Sequence, residues 1–168
     1  KNKLVITMRP EKNSHTVDLS KSAILLVEDD EADIVLMRRA FRNAGIANRL
    51  VEVRDGQAAI HYLSAEEPYK DPARFPMPFL VLLDLRLPKL SGFEVLEWVR
   101  DNPNLTELIV VVLTASDYVP DVNKAHELGA NSYLVKPASF EELVEMVRQI
   151  EGRWLLLDPL PADLAVKE

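Results

Sequence analysis

Five short apolar runs, separated by stretches of helical period, constrain this chain more than any other feature. Ala23–Val27, Leu50–Val53, Phe79–Leu83, Leu108–Leu113 and Tyr133–Val135 are rich in Val, Ile and Leu and read as strands. Three of them are apolar at nearly every position. Successive strand side chains point to opposite faces, so an unbroken apolar run means burial on both faces, as in a parallel sheet covered by helices. The intervening stretches supply those helices. Ile34, Met37, Phe41 and Ala44 fall on one helical face, as do Phe93, Leu96 and Val99, then Val122, Ala125 and Leu128, then Phe140, Leu143, Val144 and Val147. Ser91 and Ser139 suit N-terminal caps, and Gly45 and Gly129 suit C-terminal ones. The alternation predicts an α/β fold: a five-stranded parallel sheet with helices on both faces.

Three segments fall outside the alternation. Residues 1–20 form a polar leader with one apolar patch, Leu4–Ile6, and Met8 offers a second start in a chain that opens on lysine. Residues 65–78 carry Pro68, Pro72, Pro76 and Pro78 and read as a long solvated loop whose length suits contact with a partner. Residues 153–168 form a tail, with Pro159 and Pro161 behind the apolar run Trp154–Leu157, which leaves residues 21–152 as the globular domain. A net charge of -7 without a basic patch disfavours direct nucleic-acid binding. The absence of cysteine rules out disulfides and thiolate metal sites. No apolar run approaches the ~18 residues of a membrane span, so a cytoplasmic protein without a membrane partner is expected.

In open α/β sheets, ligands bind where the strands end. Here the first strand ends in Glu28, Asp29 and Asp30, the third in Asp84, the fourth in Thr114 and the fifth in Lys136 before Pro137. An acid after a strand is ordinarily a helix cap, but four strands delivering carboxylates, a hydroxyl and an amine to one edge is a chemical set. Clustered carboxylates call for a cation, and oxygen-only ligands favour a hard ion such as Mg2+. A carboxylate is also a nucleophile toward phosphorus, and the charge that develops there calls for a metal, an ammonium and a hydroxyl.

The stretches ILLVEDDEAD (Ile24–Asp33), LLDLRLPKLSG (Leu82–Gly92), VVLTAS (Val111–Ser116) and YLVKP (Tyr133–Pro137) resemble the receiver domain of two-component response regulators, over roughly residues 22–152. The resemblance implies a flavodoxin-like fold of the chemotaxis-receiver kind, a doubly wound five-stranded parallel sheet in the order 2-1-3-4-5, with Asp84 as phosphoacceptor. It makes Asp29 a direct Mg2+ ligand, Glu28 a ligand acting through water, and the Arg86 backbone carbonyl a third protein ligand. Thr114 and Lys136 match the switch hydroxyl and lysine, and Tyr133 matches the rotating aromatic. The proline-rich loop and the missing output domain look like the small receivers paired with phytochrome-type histidine kinases. The family also implies a homodimer through the fourth helix, fifth strand and fifth helix, to which the apolar tail is expected to contribute.

Two features depart from the commonest pattern. The acidic pair is Glu-Asp instead of Asp-Asp, and Arg86 and Ser116 flank the path of a water attacking the phosphoryl group. Among rival functions, an aspartate phosphatase wants a second acid where Arg86 stands. A nucleotide binder wants a glycine-rich loop where the chain has Glu28–Asp29–Asp30–Glu31. A receiver-like interaction module that is never phosphorylated would not need Asp84, Thr114 and Lys136 together. His15, His61 and His126 lack partners at ligand spacing and read as ordinary solvated or packing residues, and Trp98 reads as packing. Asp30 and Glu31 suit the positive end of a helix dipole, with Asp30 within reach of metal-bound water, and Tyr133 suits a half-buried strand position.

Overall fold

The structure, a computed structural model, describes residues 6–7 and 22–155. In chain order the elements are β1 (Ile6–Thr7), β2 (Ala23–Val27), α1 (Glu31–Ala44), β3 (Leu50–Val53), α2 (Gly56–Leu63), β4 (Pro78–Leu83), α3 (Gly92–Asp101), β5 (Ile109–Thr114), α4 (Val119–Glu127), β6 (Ser132–Val135) and α5 (Phe140–Ile150). A wider helical turn, Glu151–Leu155, continues from α5. The sheet order is β1-β6-β5-β4-β2-β3. Numbered among themselves, the five parallel strands β2 to β6 take the expected order 2-1-3-4-5. Added to them is β1, which pairs antiparallel with β6 by matching Ile6 to Tyr133 and Thr7 to Ser132. The polar leader therefore supplies an edge strand.

The unbroken apolar runs divide their side chains between two cores. Leu25 and Val27 of β2, Val81 and Leu83 of β4, and Val110 and Val112 of β5 face α2, α3 and α4. Ile24, Leu26, Leu80, Leu82, Val111 and Leu113 face α1 and α5. Both faces of the sheet are covered, and the carboxyl ends of its strands lead into Glu28, Asp84 and Lys136.

Helix termini follow the cap residues. The Ser91 hydroxyl accepts from the Glu94 amide while the Glu94 carboxylate accepts from the Ser91 amide, and the Ser139 hydroxyl accepts from Glu142. Gly45 takes φ +77 after α1. Asp30 is the N-cap of α1, just ahead of the first turn: its Oδ1 accepts from Ala32 N at 2.8 Å and Asp33 N at 3.1 Å.

The loop before β4 departs from a solvated connection. Tyr69 and Phe75 fold back on Tyr62 in an aromatic triad with centroids 5.1–6.1 Å apart, and the Tyr62 hydroxyl donates to Pro76 O at 2.7 Å. Pro78 opens β4, a position where its missing N–H costs no ladder bond. Trp98 is half-buried against the α2–α4 core and Trp154 against the α1–α5 core; Leu156, Leu157 and His15 lie outside the described residues. No helix among the described residues is long and apolar enough to cross a membrane.

Candidate functional site

The site grows out of the carboxyl ends of β2, β4, β5 and β6. The sheet ladder runs past β2: Glu28 N donates to Val53 O, and Asp84 N donates to Val27 O at 3.1 Å. These bonds place Glu28 and Asp84 side by side as the backbone leaves the sheet. Glu28 is buried, with Oε1 accepting from Asp30 N at 3.1 Å, while Asp29 is exposed. Asp84 is also buried; its Oδ1 accepts from Leu85 N at 2.7 Å and Arg86 N at 3.4 Å. The loop after Asp84 folds tightly under it, Gly92 N donating to Leu85 O at 2.9 Å. A Cβ at Gly92 would lie 2.1 Å from the Asp84 carbonyl oxygen, so only glycine lets α3 start this close.

Lys136 is held by the sheet as well, its amide donating to Thr114 O at 2.8 Å. Its ammonium spends all three protons on carboxylates: Glu28 Oε2 at 2.5 Å, Asp33 Oδ2 at 2.7 Å and Asp84 Oδ2 at 3.2 Å. Burial by itself would lower the lysine pKa. The bonds to Asp33 and Glu28 and the charge of Asp84 outweigh it and hold the group above its ordinary value, so Lys136 is a fixed cation. Burial pushes Glu28 the other way, raising its carboxyl above the ordinary range in spite of the Lys136 and Asp30 contacts.

Oxygen atoms of Glu28, Asp29 and Asp84 lie within 4.8 Å of one another. Opposite ligands of an octahedral Mg2+ are ~4.2 Å apart, given metal–oxygen distances of ~2.1 Å. The spacing is close to what such an ion needs, and the donor set, all oxygen, fits a hard divalent cation.

On the other side of Asp84, Thr114 ends β5 with its side chain buried. Two residues on, Ser116 forms a junction. Its amide approaches Thr114 Oγ1 at 3.5 Å, its hydroxyl donates to Asp121 Oδ2 at 2.7 Å and accepts from Tyr118 N at 3.3 Å, and its carbonyl accepts from the Tyr133 hydroxyl at 2.9 Å. Tyr133 is not half-buried, as a strand-end aromatic was expected to be, but 4 % exposed. Its inward hydroxyl bond explains the difference. Burial keeps the phenol above its ordinary pKa and hence a donor.

The structure thus brings together Glu28, Asp29, Asp84 and Lys136, places Thr114 and Tyr133 on the adjoining strand ends, and joins Arg86 to Asp84 through its amide while its side chain is exposed. Sequence reasoning missed Asp33, whose one available signal was its place in the first turn of α1. It also missed the bond from Ser116 to Asp121, for which there was no signal. Of the two described histidines, His61 contacts Gln57 and Glu66, and His126 is exposed on α4.

A family profile of the response regulator receiver domain matches residues 24–148. The probable methanogenesis regulatory protein FilR2 of Methanothrix harundinacea is 44% identical over 132 residues, covering 79% of this chain and 83% of FilR2. Response regulator Rcp1 of Synechocystis is 42% identical over 139 residues, covering 83% and 92%; its crystal structure in a Mn2+-bound form superposes with a TM-score of 0.73 over 84% of this chain and 99% of that one. The phosphorylated cyanobacterial phytochrome response regulator RcpA superposes with a TM-score of 0.75 at 39% identity, again over 84% and 99%. Fold, carboxyl-edge chemistry and these matches agree: the chain belongs to the response regulator receiver domain family.

Proposed function

We propose that this response regulator accepts a phosphoryl group from a histidine kinase onto Asp84 in a Mg2+-dependent phosphorelay. One observation carries the reading: a buried aspartate at the sheet edge has a lysine ammonium 3.2 Å from one oxygen and two further carboxylates within 4.8 Å. An Asp84 carboxylate oxygen bonds to phosphorus as the P–N bond to the kinase imidazole breaks, the bonding pair leaving with the imidazole nitrogen. Glu28, Asp29, Asp84 and the Arg86 backbone carbonyl would hold Mg2+, which when bound neutralises charge on the phosphoryl oxygens. Lys136 offers those oxygens an ammonium and Thr114 a hydroxyl. Tyr133, through Ser116, passes the change to α4. The protein then acts as a signalling phosphoacceptor whose catalysis is confined to its own phosphoryl group.

The likeness to RcpA supports a phytochrome-type kinase as donor, and the net charge of -7 supports output through protein contacts without direct nucleic-acid partners; the reading places the protein in the cytoplasm without a membrane partner. The same reading divides the chain into leader 1–20, receiver 21–152 and tail 153–168, and pairs two copies through α4, β6 and α5. Sedimentation equilibrium is expected to show a dimer at micromolar concentration; a monomer with and without beryllofluoride would remove the dimer. For phosphoryl acceptance, the test is intact mass after incubation with acetyl phosphate. Wild-type protein should gain one phosphoryl group only with Mg2+, and Asp84→Asn none, since an amide is a poor nucleophile. A phosphorylated Asp84→Asn protein would place the acceptor elsewhere.

A further inference from the structure

Three acids crowd the start of α1, and each has a different job. Asp30 caps the helix. Glu31 pairs with Arg54. Asp33 alone reaches into the site, where it takes one of the three Lys136 protons at 2.7 Å, closer than Asp84 at 3.2 Å. A first-turn acid ordinarily favours its own helix dipole and stays in water. This one is spent on a lysine 103 residues away, across the cleft between α1 and α5.

The three partners of Lys136 are not equivalent. Glu28, with its side chain 4 % exposed, is locked in the core and needs the ammonium for want of water. Asp33, 39 % exposed, can exchange the ammonium for water at little cost. The lysine has no fourth proton, so a grip on an anionic group at Asp84 closer than the redirected Asp84 bond allows must draw on Glu28 or Asp33. Asp33 is the contact that can yield. Lys136, Glu28 and Asp33 line one small cleft with Leu26, Met37 and Leu143, so the ammonium and both carboxylates share its mouth.

We propose that Asp33 is a positioning residue that holds the Lys136 ammonium back from Asp84 and thereby sets how tightly the site grips an anionic group there. The inference rests on Asp84 as phosphoacceptor and assigns the tuning of that site to a side chain outside its acidic cluster. Removing the Asp33 carboxylate releases one lysine proton to the anion, and removing its charge takes away a repulsion. Both effects tighten binding.

The test is beryllofluoride binding by the full chain at saturating Mg2+, read by 19F NMR of the bound anion. Asp33→Ala, which removes both the charge and the acceptor, should bind about fivefold tighter, the upper range for a half-exposed ion pair. Asp33→Asn, whose amide oxygen still accepts from the lysine, should show part of that gain. Asp33→Glu should return to within about twofold of wild type by restoring a carboxylate to the lysine, and Glu31→Gln should stay equally close because an exposed charge away from Lys136 is screened. Unchanged or weaker binding in Asp33→Asn and Asp33→Ala overturns the proposal, as does an equal gain in Glu31→Gln, which would make the effect one of net charge alone. Asp84→Asn separates this from the parent reading: loss of binding there with no Asp33 effect sinks only the present inference. Binding that survives in Asp84→Asn, or fails in wild type, sinks the phosphoacceptor reading and this one with it.

Discussion

The two sides of Asp84 are built from different interactions. Toward β2 and α1 the contacts are between formal charges: Glu28, Asp33 and Asp84 around the Lys136 ammonium, with Asp29 beside them. Toward β5 and α4 they run mainly through hydroxyls and backbone groups, from Thr114 and Tyr133 through Ser116, and reach a charge only at Asp121 in the first turn of α4. Charge–charge interactions act over several ångströms and respond strongly to added charge. Hydroxyl and amide bonds are short and directional, and a small displacement breaks them. On the proposed function, the first side holds a metal and a phosphoryl group, and the second converts their arrival into movement of a helix. The start of α4 is prepared for that: Tyr118, its N-cap, makes no side-chain capping bond, and Tyr118 and Val119 are both exposed. Ser116 and Asp121 do the fastening instead.

If the division holds, changes on the charged side alter affinity and changes on the neutral side alter response. The largest effect is expected from Asp29→Ala, which removes the exposed carboxylate of the acidic cluster; Mg2+ affinity, followed by tryptophan fluorescence or NMR shifts, should fall at least ~10-fold. An unchanged affinity would move the metal away from β2 and break the comparison on its charged side. The Asp33→Ala substitution comes next in size and opposite in sign, sharpening the same side by separating the charge that binds metal from the charge that restrains Lys136.

What was legible in the sequence follows the range of the interactions. The strand order came with the family resemblance, while apolar runs such as Leu80–Leu83 report burial on both faces, so the parallel sheet could be read from local pattern. Residues at strand ends, such as Asp84 and Lys136, could be placed on one edge for the same reason. The β1 pairing could not, because two residues at a sheet edge leave no periodicity. Nor could the fold-back of Tyr69 and Phe75, where the prolines of that loop spoke for a solvated connection while the aromatic triad formed by tertiary contact. Asp33 lay within a recognised stretch, yet its contact with Lys136 depends on how α1 leans toward α5, which no local pattern records.

The comparison is tested most directly by removing the hydroxyl from which the neutral side starts. Thr114→Ala leaves Lys136 and its three carboxylates in place but takes away the group that Ser116 approaches. Backbone NMR of wild type and Thr114→Ala, titrated with beryllofluoride and Mg2+, reads binding and response in one experiment. The expected result is binding within a few-fold of wild type, with the shifts across Ser116–Glu127 largely lost. Shifts in α4 identical to wild type at equal saturation would contradict the account, because the signal would then leave Asp84 by a route that does not pass through Thr114 and Ser116.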